Sequence, residues 1–321
     1  MGYLVAGIGA GLVSALLFAV VITGSPLAMM LFFMAPLPVF IAALGWRHRA
    51  GLIGALIGAL ALAILLRYQF GIAYAITFAL PAWAIAYMAL LGRPLENGET
   101  EWYPVGRLLL WLAGMAALVT LGSAMATVGD FETYTAAMQR SLTIMLSGNV
   151  PGIPAPRLPT GTTIEDAAYN LTVLAPFAAA AFTYMILTAN LWLAAKAVHM
   201  SGRLPRPWPS IPSLALPMEA VWVTGAAVIM AFMPRFFGFF GMAILGAMTT
   251  AFLFNGLAGI HQMSMGKPMR GGLLFALYLG LFIGIGATFL VPLIAIFGFL
   301  DCAFRLRARR GTRPPLNPPT A

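Results

Sequence analysis

The sequence predicts an all-α fold, a polytopic transmembrane helical bundle of about eight to ten membrane segments with both termini in the cytoplasm. Three observations predict it. Hydrophobic residues make up 61% of the 321 and charged residues 8%, against about 45–50% and 25% in soluble domains. Apolar runs long enough to cross a bilayer recur from Tyr3 to Leu300. The 18 basic and nine acidic residues fall almost wholly between those runs, where a charge avoids the cost of lipid. No alternation of the kind that marks a membrane β-barrel is present.

The first segment is about Tyr3–Ile22, ended by the turn Thr23–Pro26, because Gly and Pro break helices. The second is about Leu27–Leu44 and stops at the basic loop Arg47-His48-Arg49. The third, Gly51–Leu66, is rich in Gly and Ala. The fourth, Phe70–Leu91, contains Pro81, which removes one backbone hydrogen bond and predicts a kink. A polar loop with Glu96, Glu99 and Glu101 leads to the fifth, Val105–Val128.

Residues 129–166 are the longest stretch that does not span. Phe131, Tyr134, Met138, Leu142 and Met145 fall on one helical face, so an amphipathic helix lying along the membrane surface is expected. Pro151, Pro154, Pro156 and Pro159 make the rest irregular. The sixth segment is about Ala168–Leu193, extendable to His199. A basic, Pro-rich loop follows, then Glu219–Met233 and Phe237–Gln262. The last apolar run, Gly271–Leu300, would be about 45 Å long as one helix, enough for one tilted crossing or two short ones.

Charge favours two. With the N-terminus inside, Arg47/Arg49, Arg93, Lys196/Arg203/Arg206 and Lys267/Arg270 all fall inside, as the positive-inside rule asks. The Arg-rich tail joins them only if residues 271–300 turn back, near Gly284-Ile285-Gly286. Residues 1–304 then form one transmembrane domain, with 129–166 as its extracytoplasmic loop. Residues 305–321 form a basic, Pro-rich cytoplasmic tail. Arg305, Arg307, Arg309 and Arg310 are expected to contact anionic lipid headgroups, worth about 1 kcal/mol each near the surface.

Few residues offer chemistry. Cys302 is the only cysteine, so a Cys-rich metal site is excluded. HExxH, GxSxG and P-loop motifs are absent, as are paired aspartates within spans. An enzyme, a metal site and a bound cofactor are therefore not expected, and neither is a nucleic-acid partner. Asn190 and Asn255 lie inside spans, where polar groups need partners. They serve either as interhelical glue or, with Trp192 and His261, as the lining of a small-molecule site under a lid formed by the outer helix. Glu219 suits the positive start of its helix. Asp301 and Arg305 are spaced as a local ion pair. Ala6/Ala10 and Gly7/Gly11 put small residues on one helix face, for packing within the chain or for docking a membrane partner.

The stretches APLPVFIAALGW (Ala35–Trp46), NGLAGIHQM (Asn255–Met263) and GFLDCAFRLRAR (Gly298–Arg309) together resemble the YybS-like family of bacterial membrane proteins. The resemblance implies a bacterial inner-membrane location. It also implies a distant similarity to the substrate-binding S components of energy-coupling-factor (ECF) vitamin transporters. Those components dock a transmembrane partner through small residues on their first helix, a role that Ala6 and Ala10 would match. A small-molecule-binding transporter subunit is the function this implies. The alternative is a structural or assembly protein that packs against other membrane proteins.

Overall fold

A computed structural model of the chain describes residues 2–128, 131–148 and 155–307. The elements are α1 (Gly2–Ala19, continued as a 3-10 turn Val20–Thr23), α2 (Pro26–Phe33), α3 (Pro36–Gly45), α4 (His48–Leu65) and α5 (Tyr68–Tyr74). A π turn (Ala75–Ala79) joins α5 to α6 (Leu80–Ala89). Then come β1 (Gly92–Pro94), β2 (Thr100–Trp102), α7 (Val105–Val128), α8 (Phe131–Leu146) and α9 (Ile164–Met200). The chain continues through α10 (Glu219–Ala231), α11 (Arg235–Met263), α12 (Arg270–Phe282) and α13 (Gly284–Phe304). This is the helical membrane bundle expected. Among the described residues, seven helical segments are long and apolar enough to cross a bilayer, accompanied by three shorter apolar helices.

Prolines explain where the longest runs bend. Pro36 and Pro38 carry no N–H, so the Phe32 and Met34 carbonyls accept from Ala35 and Leu37 in tight turns at 3.0 Å, and the expected second segment divides into α2 and α3. Pro81 likewise removes a donor from the fourth. Rather than a simple kink, the chain widens into the π turn just before it, a known way to absorb a helix defect. Helix α9 begins where Thr163 caps it, its hydroxyl accepting from the Asp166 N–H at 3.1 Å. It runs 37 residues, about 56 Å, well beyond one bilayer thickness.

The last apolar run, expected to turn back on itself, is two helices. Ile283 is extended and breaks it, one residue before the expected turn. Gly280 faces Leu290 across the hairpin, where a Cβ on the glycine would lie 2.6 Å from the leucine side chain. The short β hairpin, with Arg93 opposite Glu101 and their side chains 2.7 Å apart, replaces the polar loop expected there. Strands of three residues are too short to show an alternating pattern.

Small residues set the tightest contacts. Gly7 and Gly11 are buried against α4. A Cβ on Gly7 would lie 2.7 Å from the Ala50 carbonyl oxygen, and one on Gly11 would strike the Gly54 carbonyl. Ala10 lies on the same seam, 3.8 Å from where a Gly54 Cβ would sit, and Ala6 is half-buried. The stripe expected to dock a partner is therefore corrected at Gly7 and Gly11, which are taken up within the chain. The reason is that Gly54 and Gly58 supply the matching face. Nearby, the Tyr74 hydroxyl donates to Ser14 Oγ at 2.6 Å, Ser14 donates to the Ala35 carbonyl, and Phe18, Phe32 and Phe78 pack around them.

The two ends of the bundle differ. One gathers the α3–α4 turn, the β hairpin, the loop 201–218, the end of α11 and Arg307. Arg203 lies 4.5 Å over the Trp46 ring, and Arg307 reaches the Gln262 side chain. The other end carries α8, whose Phe131 and Tyr134 pack on Phe239 at 5.5 and 5.7 Å and whose Glu132 meets Arg235 at 3.2 Å. The amphipathic face is thus spent on the bundle itself, although Met145 of the expected face stays exposed and Leu146 is buried instead. Pro151 and Pro154 lie outside the described residues.

Candidate functional site

At the first of these ends, α7, α9 and the loop 201–218 line a half-open cavity of about 190 Å³. Leu108, Leu109, Leu191 and Trp192 form much of its wall, and Trp208 and Arg206 close it from the loop. Trp192 and Trp208 meet edge to face at 6.5 Å, and the Lys196 ammonium sits 5.4 Å over the Trp208 ring. The lining is apolar save for Arg206 and three hydroxyls, those of Thr188, Ser210 and Ser213.

Arg206 is held by its outer nitrogens. One donates to the Ala89 carbonyl at 3.0 Å and another to the Tyr103 carbonyl at 3.3 Å. Ala89 ends α6, so the cation also meets the negative end of that helix. The third nitrogen, Nε, is buried and has no partner. Burial pulls the Arg206 pKa below the usual arginine value, yet a guanidinium stays charged in proteins. A buried donor left unmade costs about 1–3 kcal/mol, more when charged. The cavity thus offers an apolar slot with one guanidinium among its lining residues.

Of the four residues expected to line a site, only Trp192 reaches this cavity. Asn190 faces away from it and donates to the Phe33 carbonyl at 2.9 Å and the Ile186 carbonyl at 2.8 Å. Phe33 lies at the break between α2 and α3, so the amide supplies a bond that the prolines disturb, as lipid surroundings require. His261 Nε2 meets the Tyr278 hydroxyl at 2.8 Å and ties α11 to α12. Asn255 is fully buried. Its amide donates to the Gly298 carbonyl at 2.8 Å and to Asp301 at 3.2 Å, and its carbonyl accepts from the Leu216 N–H at 3.1 Å. The four are not brought together, and Asn190 and Asn255 act as interhelical glue. Nor does α8 cover the cavity, since the length of α7, about 36 Å, lies between them.

Asn255 belongs to a buried polar cluster. Arg307 pairs with Asp301 at 2.7 Å, their side chains 8% and 4% exposed. The same guanidinium donates to Asn255 Oδ1 and to the Leu214 carbonyl, both at 2.8 Å, and to the Pro212 carbonyl at 3.2 Å. The expected pair of Asp301 with Arg305 is corrected. Arg305 takes the left-handed conformation, φ 51°, which ends α13 and turns Arg307 back onto Asp301. Arg307 therefore leaves the set of lipid-contacting residues. Arg305 stays exposed, and Arg309 and Arg310 lie outside the described residues. Glu219, at the first turn of its helix, sits 3.9 Å from Arg107.

Sequence reasoning missed Arg206 and Trp208. It took the loop 201–218 as a topology signal, although its interleaving of Arg, Pro and Trp marks a segment that can be both extended and buried. Among the described residues no cluster suited to a metal ion is present. No curated protein and no solved structure matches the chain. One family model, described as predicted membrane protein (DUF2232), matches residues 12–302, nearly the whole helical bundle. With so much of the chain covered, and a bundle of apolar helices beneath the match, the protein belongs to this family of membrane proteins.

Proposed function

We propose that the protein binds a small amphipathic molecule with an anionic end in the cavity at Arg206. Arg206, the one charged side chain in an otherwise apolar lining, carries this reading. An apolar chain would fill the slot beside Leu108, Leu191 and Trp208, and a carboxylate or phosphate would pair with the Arg206 guanidinium. A charge-assisted bond in such a setting is about twice as strong as a neutral one. The chain carries no motif for an energy source, so a substrate-holding transporter subunit in the bacterial inner membrane is the role this binder suits.

Octanoate and octyltrimethylammonium test the reading on purified protein in a maltoside detergent. Octanoate should raise the thermal midpoint and the cation should not. Ala195→Trp, which fills the slot, should abolish the response, and Arg206→Gln should weaken it about tenfold or more, the loss of one charged hydrogen bond. Equal responses to both amphiphiles would sink the proposal.

The same reading places the cavity at the cytoplasmic end, with both termini inside. The grouping of Arg47, Arg203, Arg206 and Arg307 at one end supports it, since cytoplasmic loops carry the excess of Lys and Arg. A reporter fused after Ala321 should give a cytoplasmic signal, and one inserted at Thr160 an extracytoplasmic signal. Signals from the same side would refute the orientation.

A further inference from the structure

A second cavity, of about 390 Å³, lies against the other face of the segment Arg203–Arg206. The two faces alternate, as they do along extended backbone. Leu204 and Arg206 line the apolar cavity, while Arg203 and Pro205 line the second. Its remaining polar wall is Arg47 and His48, with Trp102 of the β hairpin opposite. None of its lining residues is acidic.

The charges there are unspent. Among the described residues no carboxylate pairs with Arg47 or Arg203. Arg203 is stacked 4.5 Å over Trp46, which steadies its plane without using its donors. His48 lines the cavity, but its Nδ1 is buried away from it. Helix α4 starts at His48, so its positive end adds to the field. Arg47 holds a left-handed backbone, φ 71°, a conformation that costs a residue other than glycine about 1–3 kcal/mol. An arginine stands where a glycine would relieve that strain.

We propose that Arg47 and Arg203, with His48 in the wall between them and the bundle, form a binding site for a phosphate group, borne either by a lipid head or by a soluble phosphate compound. Two guanidinium forks match the oxygens of a phosphate, and the cavity has room for what the phosphate is attached to. The site shares only Leu44 with the apolar cavity, so it stands independently of what binds there.

Two measurements distinguish the sources. The first titrates the protein in maltoside with inorganic phosphate, against chloride at equal ionic strength, and follows the thermal midpoint. The second reconstitutes it in nanodiscs of mixed phosphatidylglycerol and phosphatidylcholine, and counts retained lipids by native mass spectrometry. Binding in the first identifies a soluble phosphate group, and selective retention of phosphatidylglycerol a lipid head. Either should fall about tenfold or more in the double variant Arg47→Gln/Arg203→Gln, which removes two charged donors. It should persist in Arg49→Gln, beside the cavity but not lining it. If the double variant does not fold, Arg47→Gln alone decides, because that side chain is exposed. The proposal is overturned if the natural protein responds in neither measurement, if Arg49→Gln loses as much, or if Arg47→Gln changes nothing.

Discussion

Asp301→Ala should lower folding stability by about 3–5 kcal/mol, seen as a large fall in thermal midpoint in detergent. The carboxylate is 4% exposed and is paired with Arg307 at 2.7 Å. Removing it leaves a guanidinium buried in protein with no opposite charge. The backbone carbonyls of Pro212 and Leu214 remain, but they supply dipoles and not a counter-charge. Arg307→Ala should cost a similar amount, because Asp301 is then the orphan. Replacing both by leucine should recover most of the loss, since a buried pair is often matched by apolar residues of similar volume. A change below about 0.5 kcal/mol for Asp301→Ala, the size of an ordinary surface substitution, would show that the cluster is open to water.

Gly11→Val should be the most damaging change on the first helix. A Cβ there would strike the Gly54 carbonyl and lie 3.0 Å from the Gly54 Cα. These are backbone atoms that cannot rotate away, so α1 must move off α4. Overpacking of a tight interface costs about 1–3 kcal/mol. The shift also pulls Ser14 from Tyr74, whose hydroxyl bonds it at 2.6 Å. Gly9→Val is the matched control, because a Cβ on Gly9 meets nothing within 4 Å. Thermal unfolding of the two variants side by side checks this. Equal melting would mean that the α1–α4 seam does not stabilise the bundle.

Much of the helix placement was legible in the sequence. Val105–Val128 and the helix start at Phe131 follow from an apolar run and a clear amphipathic face. The division of residues 271–300 followed from the sign of the tail, a chemical clue independent of hydropathy. The break at Pro36 and Pro38 was missed, because an apolar run continues through it. Burial was largely illegible. Helices in lipid are apolar on every face, so hydrophobic periodicity does not separate the core side from the lipid side. For the same reason Gly7 and Gly11 look alike whether their partner is α4 or another protein.

The candidate site was less legible still. It depends on pairings such as Arg206 with Ala89, 117 residues apart, which leave no local pattern. Arg307 shows the limit most plainly. Spacing favoured Arg305 as the partner of Asp301, and one left-handed residue changed the choice. Asn190 and Asn255 were found because polar residues in spans are rare. Whether such a residue faces a ligand or a carbonyl depends on where a neighbouring helix is broken.

The Arg307 cluster also bears on the order in which the protein can be made. Arg307 holds carbonyls of a loop synthesised 95 residues earlier, at Pro212. At about 5–20 residues per second, the ribosome needs roughly five to twenty seconds to cover that distance. For the last 52 residues of that interval Asn255 waits without its guanidinium, and the loop that walls both cavities lacks the tie of Pro212 and Leu214 to Arg307. The loop shared by the two cavities therefore gains this last tie only after translation has passed the last helix. A chain truncated before Arg307 would keep the Arg206 bonds to Ala89 and Tyr103 and lose the tie at Pro212 and Leu214, with Asp301 left unpaired.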